Sequence, residues 1–221
     1  KGHNVIVLDP AKPHRNDVTY VNADVLDLKR LERAMRGVAC VYHLAAVSNV
    51  NIAYKDPVYT VSLNSAGTVN VLEAARKNNV ERVIFASTAW VYRNAPGRRA
   101  DEDAPICIRP DHIYTSTKVA SELYCHSYRE LYGQAFTILR YGTPYGPRAR
   151  EEMVIMIFLR KALAGEPITI FGDGSQHRRF VYVEDLASGS LAAMKDVAKN
   201  QTYNLVGKRK ITILEIAETI K

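Results

Sequence analysis

Cysteine is scarce in this chain: Cys40, Cys107 and Cys125 are the only three among 221 residues. The count is odd and no CxxC pair occurs, so neither a disulfide framework nor a zinc-ligand pattern is present. A reducing, cytoplasmic setting is the expectation. No apolar run approaches 18 residues, which excludes a helical membrane span. No GxxGxxG glycine turn occurs anywhere. Acidic residues are outnumbered, 23 against 30 Lys plus Arg, for a formal charge of +7. That surplus favours anionic partners such as nucleotides and phosphates. The basic clusters are short: Arg98-Arg99, Arg148 with Arg150, Arg178-Arg179 and Lys208-Arg209-Lys210. No helix-turn-helix, RNP or zinc-finger pattern accompanies them, so no nucleic-acid partner is expected. His3, His14, His112, His126 and His177 stand at no metal-ligand spacing and read as surface or structural residues; no metal is expected.

Hydrophobic residues make up 47% and charged residues 24%, which places the chain among folded globular proteins. Short runs rich in Val, Ile and Leu cover Asn4–Asp9, Val38–Ala46, Arg82–Thr88 and Phe136–Tyr141. They show little polar alternation, as strands buried on both faces of a parallel sheet do. Helical stretches lie between them at Leu28–Arg36, Val58–Asn78 and Ile113–Tyr132. Val61, Ser65, Val69, Leu72 and Ala75 mark one apolar stripe, and Ala120, Tyr124, Tyr128 and Leu131 another. The alternation predicts an α/β fold with a Rossmann-like, doubly wound parallel sheet. The pattern changes after Pro144-Tyr145-Gly146-Pro147. Helices are expected at Met153–Ala164, Glu184–Lys195 and Ile213–Lys221, and strands at Ile168–Phe171, Phe180–Val183 and Tyr203–Val206. The expected division is one domain over 1–145 and a smaller, partial region over 146–221.

The first strand ends in Asp9. An acid at the tip of a Rossmann strand accepts from a ribose 2′-OH, and it normally follows a Gly-rich turn by about 20 residues. Only eight residues precede Asp9 here, and Lys1-Gly2-His3 reads as a helix end with a glycine stop. The expectation is a fragment lacking its first βα unit, and hence the helix N-terminus that would hold a pyrophosphate. On that expectation these residues alone bind NAD poorly. A chain that begins at a strand, with Asp9 in a plain turn, is the competing reading.

Tyr114 and Lys118 form YxxxK, which on a helix puts both on one face. A phenol acting as a base near pH 7 must be held well below its usual range near 10, by about 4 kcal/mol of differential stabilisation. A neighbouring ammonium supplies part of it. The pattern alone carries no weight, since 13 Tyr and the chain's lysines predict about 0.7 such matches by chance. Its position does: it follows the strand ending in Ser87-Thr88, and parallel sheets place chemistry at the carboxyl ends of strands. Either hydroxyl could equally serve turn geometry.

Four ordered segments then carry a resemblance: Ser87-Thr-Ala-Trp-Val-Tyr92, Tyr114-Thr-Ser-Thr-Lys118, Leu139-Arg-Tyr-Gly-Thr-Pro-Tyr-Gly-Pro-Arg148, and Phe171-Gly-Asp-Gly-Ser-Gln-His-Arg-Arg-Phe-Val-Tyr-Val-Glu-Asp-Leu-Ala187. The chain resembles the extended short-chain dehydrogenases/reductases, and within them the NAD-dependent nucleotide-sugar epimerase/dehydratase family of the UDP-glucose 4-epimerase type. The resemblance implies NAD as cofactor, a nucleotide-sugar substrate (a UDP-sugar is favoured) and a homodimer formed by helices 58–78 and 113–132. It implies that Asp9 binds the adenosine ribose, that Asp24 and Val25 lie beside adenine, and that Leu44, Ala45 and Ala46 pass the cofactor. Lys12 and Arg15 hint at NADP, but the Asp9 carboxylate favours NAD. Asn64 reads either as a cofactor neighbour or as a buried structural amide. Ser87 and Tyr141 fall on the cofactor side. Thr88, Tyr114 and Lys118 match the catalytic hydroxyl, the base and the lysine that tunes it. Thr88, Thr143 and Arg178 match substrate positions, with Arg178 holding the diphosphate; Arg179 reads as a solvated arginine.

The departures narrow the chemistry. Where the family commonly reads Arg-Phe-Phe-Asn-Val-Tyr-Gly-Pro, this chain has Gly142 and Thr143, which puts sugar recognition in doubt. Ala89-Trp90 replaces the Asp-Glu pair of the 4,6-dehydratases and the Glu of UDP-glucuronate decarboxylases. An epimerase acting at C4 through a 4-keto sugar is the favoured expectation. A nucleotide-sugar dehydrogenase/reductase and a non-catalytic NAD-responsive protein are the alternatives. Trp90 reads either as a wall of the substrate cleft or as core.

Overall fold

The structure is a computed structural model describing residues 2–93 and 100–221. Arg98-Arg99 and Lys1 lie outside the described residues. Two compact units are present: residues 1–139 with 193–203, and residues 140–192 with 204–221. The second unit starts at Arg140, and residues 193–203 return to the first. Arg82 and Thr137 tie the returning segment to the first unit. The buried Arg82 guanidinium donates to the carbonyls of Ala193 (3.0 Å) and Lys195 (2.8 Å), and Thr137 Oγ1 donates to that of Ala198 (2.6 Å).

In the first unit, β1 (Ile6–Leu8) and β2 (Thr19–Val21) form a parallel pair. A four-stranded sheet has the order β3 (Cys40–His43), β4 (Arg82–Thr88), β5 (Phe136–Tyr141) and β9 (Gln201–Leu205). Between β5 and β9 in sequence come β6 (Thr143–Tyr145), β7 (His177–Arg178) and β8 (Phe180–Tyr182). β3 and β4 are parallel, with His43 opposite Phe85, so β4 runs on past the pairing to Thr88. Every residue of β4 is buried, as expected for a strand covered on both faces. β2 escaped sequence reading because Thr19–Val21 is three residues with no apolar run.

Helices cover this sheet. α1 (Leu28–Ala34) is capped by Asp27, whose side chain accepts from the Arg30 amide. α2 (Val50–Lys55) is capped by Asn49. α3 (Pro57–Val61) has Asp56 as its cap and Pro57 in the first turn, where a missing N–H costs nothing. A π-helical turn, Ser62–Ala66, then leads into α4 (Gly67–Lys77). The single helix expected over 58–78 is therefore three segments. α5 (Ile113–Tyr132) has the expected bounds and ends at Gly133, whose φ of 73° suits glycine. Leu31, Met35, Val71, Leu72, Val83, Phe85, Phe136 and Ile138 build the core between these elements.

In the second unit, β6 (Thr143–Tyr145) pairs parallel with β8 (Phe180–Tyr182), and β7 (His177–Arg178) pairs antiparallel with β10 (Ile211–Thr212). α6 (Val154–Leu163), α7 (Val183–Ala192) and α8 (Ile213–Ile220) complete it. α8 opens with a capping box between Thr212 and Glu215. The expected strand Ile168–Phe171 is not one. Ile168 and Ile170 pack against a small core of Phe158, Phe180, Ile216 and Ala217 instead. Their alternation records packing and not a ladder.

Candidate active site

The carboxyl end of β4 and the first turns of α5 bring the predicted chemistry together within the first unit. Thr88 is buried at the strand end, and its Oγ1 accepts the Trp90 amide at 3.2 Å, capping a short 3-10 turn over Ala89–Tyr92. That bond uses a lone pair and leaves the hydroxyl proton for other work. Tyr114, on the first turn of α5, is half-buried. Its ring stands edge-on to Trp90, with centroids 6.4 Å apart at 79°.

Lys118 lies one turn further on and is buried. Its Nζ donates to the Ala86 carbonyl at 2.7 Å and sits 4.7 Å over the Phe85 ring. Burial pushes the ammonium down to about 8, while Cys125 and Glu122 push the other way. Burial holds the Cys125 thiol up near 12, so it is uncharged near neutrality and Glu122 supplies the opposing charge. One of the three Lys118 protons is engaged by Ala86, which leaves two for a ligand. Ser87 points away from the strand end: its hydroxyl donates to the buried carboxylate of Glu122 on α5. Sequence reading missed Glu122. Its signal was the spacing, four residues beyond Lys118, which returns to the same face of the helix.

Asn64 occupies the π turn and is buried. Its Oδ1 accepts the Val47 amide at 2.7 Å, and its Nδ2 donates to the Val47 carbonyl at 3.1 Å and to Thr117 Oγ1 at 3.0 Å. Both atoms of the amide are thus spent on the protein, which places the side chain as the structural clamp of the segment after β3. Beside it, His43 Nε2 lies 2.9 Å from Thr68 Oγ1, and Thr68 donates to the Asn64 carbonyl. Burial, reinforced by the Lys118 charge, drives His43 down to about 3, so it stays neutral.

The remaining positions are spread along the strand ends. Asp9 is exposed past β1, and one carboxylate oxygen accepts the Ala11 amide at 2.8 Å. Asp24 Oδ1 accepts the Leu26 amide at 2.9 Å. Val25 is a core residue, packed so closely on Gly67 that a Cβ there would lie 2.7 Å from Val25 Cγ2. Leu44 is 60% exposed at the end of β3, followed by half-buried Ala45 and Ala46. An exposed carboxylate at a strand tip, a small apolar passage and a buried lysine with donors to spare suit a dinucleotide.

Three further positions lie in the second unit. Tyr141 is directed to Ser190, with oxygens 2.8 Å apart, and burial raises its phenol, partly offset by Ser190. Thr143 starts β6, and its amide donates to the Arg179 carbonyl at 3.3 Å. Arg178 is exposed, and its guanidinium donates to the His177 carbonyl at 2.9 Å. Arg179, read as a solvated arginine, is exposed but tethered: its guanidinium donates to the carbonyls of Gly207 and Lys208. A hollow of about 370 Å³ lined by Val21, Asn22, Arg30, Arg33 and Ala34 shares no residue with the cluster around Tyr114. Among the described residues there is no metal-binding group of side chains, and no helix is long and apolar enough to cross a membrane.

A parallel α/β sheet whose strand ends gather a hydroxyl, a tyrosine and a buried lysine is the scaffold of the dinucleotide-dependent short-chain dehydrogenases/reductases of the extended type. Residues 1–206 match the family described as the NAD dependent epimerase/dehydratase family, and the chain belongs to it. It is similar to a putative UDP-glucose 4-epimerase of Methanocaldococcus jannaschii, 35% identical over 229 residues, covering 99% of this chain and 74% of that protein. Among solved structures it is similar to the UDP-glucose 4-epimerase of Thermotoga maritima with UDP-glucose. There the TM-score is 0.91 and the identity 29%, over 100% of this chain and 74% of that one. The UDP-glucose 4-epimerase of Thermus thermophilus in complex with NAD is also similar. Its TM-score is 0.86 and its identity 33%, over 98% of this chain and 74% of that one. The chain thus spans about three quarters of the length of each.

Proposed function

We propose that this protein is an NAD-dependent nucleotide-sugar epimerase that inverts C4 of a UDP-hexose through a 4-keto sugar. The observation that carries the reading is Lys118. It is a buried cation one helical turn from Tyr114, beside the strand end that presents Thr88. Tyr114 accepts the proton of the sugar 4-OH and later returns it. The charge on Lys118 favours the phenolate, and Thr88 shares the hydrogen bond to the sugar oxygen. NAD held by the residues below would supply the hydride acceptor and donor that inversion at C4 needs. Asp9 would hold the adenosine ribose. Asp24 and Val25 would flank adenine, and Leu44, Ala45 and Ala46 would pass the cofactor. Ser87, Asn64 and Tyr141 would act behind it, Ser87 through Glu122 and Asn64 through the Val47 segment. Thr143 and Arg178 would meet the nucleotide sugar, Arg178 at the diphosphate, where a guanidinium suits two oxygens at once. The first unit is then the NAD-binding domain, and the second binds the nucleotide sugar.

A homodimer through α3, α4 and α5 accompanies this reading. Val58 (76% exposed) and Tyr59 on α3, with Leu123 and Leu131 (70%) on α5, are large apolar side chains open to solvent on helices that pack together. The three free cysteines suit a reducing compartment, which supports a cytoplasmic location. The test is incubation of the protein with NAD and a panel of UDP-, GDP- and dTDP-sugars, with products read by NMR. Inversion at C4 without net NADH supports the epimerase and names its sugar. Oxidised sugar with accumulating NADH moves the protein to the dehydrogenases, and no change across the panel removes the catalytic reading.

A further inference from the structure

We propose that His112 is a positioning residue for Tyr114, acting through the cap of α5 and through Trp90; the proposal rests on the reading of Tyr114 as the proton acceptor. His112 is the N-cap of α5, with extended backbone at φ −154° and ψ 151°. Its Nδ1 accepts the Thr115 amide at 3.3 Å and lies 3.0 Å from Thr115 Oγ1. Helix caps are ordinarily Ser, Thr, Asp or Asn. A histidine in that place adds a ring two residues ahead of Tyr114. The ring centroid lies 4.7 Å from that of Trp90 at 47°, and 6.3 Å from that of Tyr114 at 32°. With the edge-on pair of Trp90 and Tyr114 at 6.4 Å, three rings contact one another pairwise in the range where aromatic pairs attract.

Anchors on both sides hold this cluster. On one side the Trp90 amide donates to Thr88 Oγ1. On the other, Arg93 pairs with Asp111 at 2.9 Å and lies 5.7 Å over the Trp90 ring. The second Asp111 oxygen is 3.7 Å from His112 Nε2. With Nδ1 accepting, the ring proton belongs to Nε2 in the neutral form. That nitrogen is buried, and no hydrogen bond among the described residues satisfies it. A serine or aspartate would cap the helix without burying a ring N–H, so capping alone does not account for this residue. What the ring adds is a wedge. Arg93, Asp111, His112 and Trp90 close a circuit that ties the first turn of α5 to the residues following Thr88. The Tyr114 ring is thereby oriented before substrate arrives.

Trp90 is the only tryptophan in the chain, so its fluorescence reads the cluster directly. Two variants separate the roles. His112→Asn keeps a capping acceptor and removes the ring; His112→Phe keeps a ring and removes the cap. The expected result for His112→Asn is a kcat lower by about 10- to 100-fold. The KM for the nucleotide sugar stays within about twofold, and the anisotropy of Trp90 decays faster. His112→Phe keeps the slow anisotropy decay and recovers most of kcat per folded molecule. A His112→Asn enzyme with unchanged kcat and unchanged Trp90 anisotropy overturns the proposal. Losses in both variants that merely follow the folded fraction overturn it as well. If the wild-type protein turns over no nucleotide sugar, the epimerase reading fails separately. The Trp90 anisotropy then still decides whether His112 holds the ring.

Discussion

The hydroxyl of Ser87 donates to the carboxylate of Glu122, joining the end of a buried strand to the helix that carries Tyr114 and Lys118. The carboxylate lies four residues beyond Lys118 and opposes the effect of burial on its ammonium. An electrostatic support for the Lys118 ammonium is thus held in place by a strand-end serine.

Glu122→Gln keeps an acceptor for Ser87 and removes the charge. Without that anion the Lys118 ammonium is less favoured and titrates below about 8. Near pH 6.5 the variant should turn over close to the wild-type rate. By pH 8 it should fall behind by about fivefold, because more of its Lys118 has lost the proton. Parallel kcat–pH profiles check this, and a constant ratio across pH would remove the proposed support.

Tyr114→Phe removes the phenol and keeps the ring that packs on Trp90 and His112. Turnover should fall by about 10²- to 10⁴-fold, the usual contribution of a positioned acid or base. Thermal stability and NAD affinity should be close to wild type. Turnover that survives the substitution would assign proton transfer elsewhere.

Asn64→Leu should cost about 2–4 kcal/mol by urea unfolding. Three hydrogen bonds are lost, and both polar groups of Val47 lose this partner. Cofactor affinity should fall with it, since residues 44–47 are no longer held. Asn64→Asp should recover only the bond from the Val47 amide.

His43 is neutral in the folded chain down to about pH 3 but takes up a proton near 6.5 when unfolded. The unfolded chain therefore binds more protons between those values. Stability from this group is complete above pH 6.5 and is lost as pH falls toward 3, by roughly 3 kcal/mol at pH 4.5. His43→Gln cannot take up that proton and should lose less stability between pH 7 and 4.5. Equal losses in the two proteins would show that His43 does not set the acid limit.

Gly67→Ala would place a methyl 2.7 Å from Val25 Cγ2, and valine has little rotamer freedom with which to yield. The single substitution should destabilise by about 1–3 kcal/mol despite alanine's better helix propensity. Val25→Ala in the same chain should return part of that loss. A double-mutant cycle with no coupling would refute the contact.

The bounds of β4, α5 and β5 were legible because their apolar content and end signals agree: Arg82–Thr88, Ile113–Tyr132 and Phe136–Tyr141 are found as expected. The buried face of α5 was not. Hydropathy pointed to Ala120, Tyr124, Tyr128 and Leu131, yet Leu131 is exposed. The buried face is Thr115, Thr117, Lys118, Ser121, Glu122 and Cys125. A helix that faces a polar site inverts the rule that apolar residues mark the inside. The other stripe held at Leu72 and Ala75, which are buried, but Val61 is exposed and Ser65 and Val69 are half-buried. The π turn shifts the helical phase between α3 and α4, and Asn64, Gly67, Thr68, Val71 and Ala74 also lie on the buried face. Residues 193–203 belong to the first compact unit, and Arg82, deep in β4, donates to carbonyls of that segment more than a hundred residues away. Nothing local records such a pairing.

The π turn over Ser62–Ala66 also makes the spacing of this stretch a matter of counting. An α-helix advances about 100° per residue, and the wide turn accommodates an extra residue between the helix before Asn64 and the helix after it. Deleting a single residue there would let the backbone close into uninterrupted α-helix without losing any particular side chain. The helices on either side would keep their facing, since the wide turn already absorbs that residue, so Val71 and Leu72 would stay in the core. What would be lost is the local path that turns Asn64 toward Val47. A deletion here should therefore cost the clamp on residue 47 and spare the packing of α4.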